Sequence, residues 1–282
     1  MAAEEFPSNF TNTGGISNTR HNLSLSTNVS QAAMITARNQ YGEVCVYCHT
    51  PHGANANIAA PLWNRTFKSN TYQTYDQLRT SSLTAKVNQP GINSLTCLSC
   101  HDGTVAVDSI INMPGSGRYN ANGLTSHQEA FLDSWITVPG QTSVSPNHLA
   151  MGLSSPAKSN AGCMSCHNSD IGVAHSFAIA NIGTDLRDEH PIGVEIPTAR
   201  IGQDFIGPTV TLDKVAFFDL NANNKPDSNE IRFFKTGDTY RVECASCHDP
   251  HGVAATHGGQ IHPTFLRVKN DGSAVCLTCH AK

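Results

Sequence analysis

Each of the ten cysteines belongs to a C-x-x-C-H string, and none is left over. The five strings are Cys45-Val-Tyr-Cys48-His49, Cys97-Leu-Ser-Cys100-His101, Cys163-Met-Ser-Cys166-His167, Cys244-Ala-Ser-Cys247-His248 and Cys276-Leu-Thr-Cys279-His280. C-x-x-C-H is the attachment motif of c-type haem. The two thiols add across the haem vinyl groups, and their three-residue offset puts both on one side of a helical turn. The next His then supplies the proximal iron ligand. A lone copy is equally open to a zinc knuckle or a redox dithiol. Structural zinc, however, prefers paired C-x-x-C units and has no need of a His after every second Cys, and disulfides need no His at all. Five complete copies therefore select five covalently attached haem c groups.

Composition narrows the partners. Charged residues are 14% of the chain, against roughly a quarter in average soluble proteins; Asn, Ser, Thr and Gly take their place. A net charge of −4 without a Lys/Arg run argues against nucleic acid. No apolar stretch approaches the roughly 20 residues that span a bilayer. The start, MAAEEFPSNF, has neither the basic nor the apolar region of a signal peptide, so such a peptide is expected to be absent or already removed.

Fourteen His are present; five are proximal, and nine remain: His21, His52, His127, His148, His175, His190, His251, His257 and His262. The supply exceeds the five sixth ligands needed, whereas Met is scarce and stands in no repeated context. Bis-His ligation is the expectation, with six-coordinate, low-spin irons of lower potential. Two of the nine are marked by position. Cys48-His49-Thr-Pro-His52-Gly53 and Cys247-His248-Asp-Pro-His251-Gly252 share the pattern C-H-x-P-H-G. The second His stands too close to its proximal His to reach the far face of the same porphyrin. Pro51 and Pro250 turn the chain and aim it at a neighbouring haem. On spacing alone, His21 and His190 are open between ligand and surface residue.

The chain resembles the doubled-C-x-x-C-H family of extracellular multihaem cytochromes, which includes the tetrahaem OmcE-like subunits of bacterial and archaeal cytochrome filaments. The resemblance is carried by Arg20-His21-Asn-Leu-Ser, Cys45 to Gly53, Pro61-Leu-Trp63-Asn-Arg65 and Cys97 to Val105. It resumes at Asn181-Ile-Gly-Thr-Asp-Leu, Asp188-Glu-His190-Pro-Ile-Gly, Cys244 to Gly252, Phe265-Leu-Arg-Val and Gly272 to His280. It thins between about residues 106 and 180. The resemblance implies distal ligands at His21, His52, His190 and His251, and a ligand arm that crosses to the next subunit in filaments, with His21 the natural candidate. It further implies an electron carrier at the cell surface or outside the cell, whose partners are copies of itself, other cytochromes or extracellular electron acceptors. A monomeric periplasmic or surface carrier, and a multihaem reductase with one open haem, are the alternatives. No attachment string here ends in Lys, as one does in the pentahaem nitrite reductases.

The Cys163–His167 string departs from the four-haem pattern and needs its own distal His. His148, in Pro-Asn-His148-Leu-Ala-Met-Gly, precedes Cys163 much as Arg-His-Asn-Leu-Ser precedes Cys45 and ranks first. His175 ranks second. His127, His257 and His262 read as loop residues.

The fold expected is mostly irregular coil with short helices and a small β-hairpin, wrapped around a stacked haem chain that replaces the usual apolar core. Residues 1–115 form a two-haem segment with a candidate helix at Tyr75–Lys86. Residues 116–185 form an inserted one-haem segment, and residues 186–282 a second two-haem segment; the three are read as one cooperative unit. Thr209–Leu220 and Ile231–Glu243, rich in Val, Phe, Tyr and Thr, read as a pair of strands. Their connection places Asp219, Asn221, Asn223, Asp227 and Glu230 at positions 1, 3, 5, 9 and 12 of a calcium-loop spacing. Asn224 stands where Gly is usual and is expected to turn left-handed. A plain Asn-rich turn is the competing reading. Counting propionates and ferric cores, the loaded protein carries about −9. Asn9, Asn22, Asn28 and Asn64 lie in N-x-S/T sequons.

Overall fold

The computed structural model describes residues 10–24, 37–38, 41, 43–112, 128, 132–133, 148–153, 162–168, 179–254 and 256–281. Among these, coil and turns dominate, with three short α-helices and one four-stranded antiparallel sheet. Backbone contacts group the described residues into two units. The first draws on Asn22–Asn70 and Leu95–Thr184, and the second on Phe10–His21, Thr71–Ser94 and Asp185–Lys282. The strings at Cys45, Cys97 and Cys163 fall in the first unit, and those at Cys244 and Cys276 in the second.

All three α-helices end in an attachment string. Helix α1 is Ile92–His101, α2 is Cys244–Cys247 and α3 is Ala274–Cys279. The sheet is a meander: β1 Val210–Thr211, β2 Val215–Phe217, β3 Arg232–Thr236 and β4 Thr239–Arg241, in the order β1-β2-β3-β4. Each of the two runs read as a strand is thus folded back on itself. Leu212 N–H donates to Val215 O in the first run, and Gly237 turns the second at φ 62°. Asp213-Lys214 and Gly237-Asp238 carried the turn signal; the apolar content of the flanks masked it.

The Tyr75–Lys86 helix is not formed. A single 3₁₀ turn, Tyr75–Leu78, ends at Arg79, whose φ is 53°. Leu78 stays 46% exposed, so no apolar face offsets the weak helix propensity of Thr80-Ser81-Ser82.

Packing positions the strings through the residues between their cysteines. Val46 and Tyr47 are buried with Ile110, Ile111 and Leu132, and Cys48 packs against this cluster. Leu98 and Ser99 are likewise buried. In the second unit Phe218, Ile231 and Phe233 form a cluster against which Cys247, Val275 and Cys279 pack. The sheet therefore braces both strings of that unit. Burying each of these large side chains contributes about 2 kcal/mol.

Candidate haem-attachment and ligand sites

Every string makes one helical turn. The His N–H donates to the carbonyl of the first Cys at His49 (2.8 Å), His167 (2.9 Å), His248 (3.1 Å) and His280 (2.9 Å), and Cys97–His101 lies within α1. Both thiols and the imidazole then emerge from one turn. No disulfide joins any of the ten cysteines. Burial pushes Cys48 and Cys279 up to about 12, and Cys163 and Cys247 to about 11. A smaller contribution to Cys48 comes from Cys100, and to Cys247 from Cys244 and Cys276. The strings thus stand in neighbouring pairs, Cys45 with Cys97 and Cys244 with Cys276.

Three of the five string imidazoles are oriented by the backbone. Nδ1 of His49 lies 2.7 Å from Pro61 O, that of His101 2.6 Å from Ala180 O, and that of His248 2.7 Å from Thr264 O. A carbonyl oxygen only accepts, so Nδ1 carries the proton and Nε2 keeps its lone pair for a metal. This is the usual outer support of a ligating His.

A return segment completes each doubled string, and the two copies match bond for bond. Thr50 N–H donates to Leu62 O and Asn64 N–H to Cys48 O; Asp249 N–H donates to Phe265 O and Arg267 N–H to Cys247 O. His49 bridges Trp63 as His248 bridges Leu266. Leu62 (φ 51°) and Phe265 (φ 61°) both take the left-handed conformation, as do Gly53 and Gly252 after each Pro-His. Sequence inspection found the repeat only up to Gly53 and Gly252. The return segments, Pro-Leu-Trp-Asn and Thr-Phe-Leu-Arg, have no identical residue at any matched position to reveal it.

Three candidate distal His have Nδ1 held by oxygen. His21 Nδ1 lies 3.0 Å from Pro250 O, and its ring is 4.3 Å from that of Phe265. His251 Nδ1 lies 2.9 Å from Asp249 Oδ1, and His148 Nδ1 3.0 Å from Asp108 Oδ2. His148 is 1% exposed and sits beside the third string: Ala150 O accepts from Cys163 N–H, and Asp108 acts electrostatically on the Cys163 thiol. His190 and His280 stand with ring centroids 6.4 Å apart at an interplanar angle of 71°. Two imidazoles sharing one metal at ~2 Å per bond place their centroids about 6 Å apart. His52 lies exposed in the Pro51–Gly53 turn, where its carbonyl accepts from Thr50 Oγ1. His127 and His175 lie outside the described residues.

The residues fit covalent haem. Besides the oriented imidazoles, the buried indole Nε1 of Trp63 has no hydrogen-bond partner among the described residues, and the ring meets His49 edge-on at 5.8 Å. An orphaned donor beside a proximal ligand suits a group that brings acceptor oxygens. Among the described residues, no three His, Cys, Asp or Glu side chains converge as a metal cluster.

The family model described as the doubled CXXCH motif matches residues 237–282. That span holds the strings of the second unit. The match supports a multihaem c-type cytochrome. Nothing among curated proteins matches the chain. Covalently bound haem c and a part in electron transfer follow from the motif, and an electron carrier accords with it better than an enzyme does. No described helix is long and apolar enough to cross a membrane.

The β2–β3 loop has the left-handed backbone expected at Asn224, φ 58°. Its side chains close on the loop itself. Asp219 accepts from the N–H groups of Asn221, Asn223 and Asn224, and Asp227 Oδ2 accepts from the side-chain amides of Asn221 and Asn223. Glu230, buried, accepts from Leu220 and Asp227 N–H. The sequon residue Asn64 is fully buried and bonded to Val46 O, which leaves a glycan no room.

Proposed function

We infer that the chain is a pentahaem c-type cytochrome that passes electrons along bis-His haems, and that copies polymerise into an extracellular conductive filament. The observation that supports the first part best is the His190–His280 pair, whose ring centroids lie 6.4 Å apart, close to the span of two imidazoles on one iron. The resemblance to filament subunits carries the second.

In this reading the ten thiols anchor five porphyrins, and His49, His101, His167, His248 and His280 bind iron from one side. Distal ligands are His21, His52, His148, His190 and His251. His190 completes the site of His280. His148, held by Asp108, completes the third site. His52 and His251 serve the neighbour of the haem their own string attaches, because the Pro turn directs each away from it. The seat of His21 against Pro250 and Phe265 supports ligation within its own chain. Bound haem supplies reversible one-electron Fe(III)/Fe(II) exchange. The chain contributes attachment, tautomer control and spacing, and its coil segments wrap the stack. Calcium in the Asp219–Glu230 loop is a separable, structural part of the reading, supported by the loop spacing and the Asn224 backbone.

Purified protein is expected to contain five haems per chain and a wholly low-spin oxidised spectrum. Fewer haems, or a resting high-spin signal, sinks the five-site wire. Electron microscopy of native material tests assembly: isolated particles at every concentration reduce the reading to a monomeric carrier.

A further inference from the structure

Arg65 is a buried cation that attachment and ligation leave without a task. Arg65 is 1% exposed, and its guanidinium is held by oxygens without formal charge. Nε donates to Ser99 Oγ (3.2 Å), Nη1 to Val107 O (2.8 Å), and Nη2 to Ser99 O (2.9 Å) and Ala106 O (3.0 Å). Among the described residues no carboxylate forms an ion pair with it. The buried carboxylates of the same unit are engaged elsewhere: Asp102 with Asn70 and Thr104, Asp108 with His148, Asp133 with Ser109. Burying a cation without an anion is costly and calls for a reason.

Its position suggests one. Ser99 lies between Cys97 and Cys100, and Arg65 also acts on the thiol of Cys48, so the charge stands between the two paired strings of the first unit. The duplicated scaffold of the second unit provides the comparison. There the register of Arg65 is held by Val268, and the nearby cation, Arg267, is matched by Asp249 at 3.0 Å. Among the described residues, no protein carboxylate pairs with the cation of the first copy, whereas Arg267 of the second pairs with Asp249, which also holds His251.

We propose that Arg65 is a tuning residue whose uncompensated charge raises the reduction potential of the haems attached at Cys45–His49 and Cys97–His101, while Asp249 cancels Arg267 at Cys244–His248. Reduction adds one electron to a site, and a fixed cation in a poorly screened interior favours the electron-rich form. The inference rests on reading these strings as haem sites.

The test is a spectroelectrochemical titration of the haem-loaded protein, with an electrode supplying the electrons. Arg65→Gln is expected to lower one or two of the five midpoints by at least tenfold in the reduced-to-oxidised ratio, 59 mV for one electron. Arg65→Lys loses the same fork of hydrogen bonds but keeps the charge, and should stay near wild type. Asp249→Asn removes the anion from Arg267 and also from His251 Nδ1, and should shift a midpoint upward. Equal shifts in the Gln and Lys variants, or five unmoved midpoints in loaded Arg65→Gln, overturn the proposal. Should Arg65→Gln fail to load, an unmoved Asp249→Asn does so instead. Wild-type protein lacking haem at these two strings would defeat the underlying reading, a result the haem count reveals before any potential is measured.

Discussion

Asn64 and Arg267 occupy the same place in two copies of one scaffold. Each backbone N–H donates to the carbonyl of a second attachment cysteine, Cys48 or Cys247. Each side chain reaches the carbonyl that follows the first cysteine: Asn64 Nδ2 meets Val46 O at 2.7 Å, and Arg267 Nε meets Ala245 O at 3.0 Å. The cysteine turn and its return segment are therefore locked as a unit, by a neutral amide in one copy and a guanidinium in the other. What is built twice is a mount that holds the proximal imidazole by its Nδ1.

Asn64→Ala tests the mount. The amide also bonds both ways with Asn112, through its Nδ2 to Asn112 O and its Oδ1 from Asn112 N–H. Its loss leaves buried backbone groups unpaired, at a cost of about 3 kcal/mol. Denaturant melts should show this loss, with the spectrum of the haem at His49 perturbed first; unchanged stability contradicts the role.

His190→Ala should leave one of five irons five-coordinate. The expected signature is a new high-spin signal and carbon monoxide binding at about one site per chain. A wholly low-spin variant would dissociate His190 from the His280 site.

His148→Ala should likewise make one haem high-spin, and Asp108→Asn should weaken the same site by removing the anion on His148 Nδ1. If His148→Ala stays low-spin, the fifth ligand lies elsewhere.

Glu243 caps α2 from a buried position. It accepts from Gly91 N–H and Ser94 Oγ, and shares a capping box with Ser246. Burial raises its pKa, against the lowering effect of Ser94 and Gly91. A folded-state pKa above the unfolded one gives stability that is full below the unfolded value of 4.5 and is lost as pH rises through the folded value. Glu243→Gln removes this descent, whereas Glu243→Ala strands the Gly91 and Ser94 donors and costs about 3 kcal/mol. Urea melts across pH distinguish the three proteins, and identical slopes for wild type and Gln would refute the assignment.

Chelator should lower the melting temperature while haem spectra stay the same, and Asp219→Ala should abolish the difference. A melt indifferent to chelator and to added calcium removes calcium from the account and leaves an Asn-rich turn.

The five C-x-x-C-H strings were legible from residue types and spacing alone, and the single helical turn each one makes is local structure completed within five residues. So were the preponderance of coil and the left-handed Asn224. The Tyr75–Lys86 helix and the two-strand reading erred because propensity does not report whether an apolar face will be buried or where a turn will interrupt a run. The return segments around Leu62 and Phe265, the Nδ1 contacts of His49, His101 and His248, the approach of His190 to His280 and the burial of Arg65 were decided by tertiary structure. Most of these depend on backbone carbonyls brought in from distant residues, and a carbonyl has no signature in sequence.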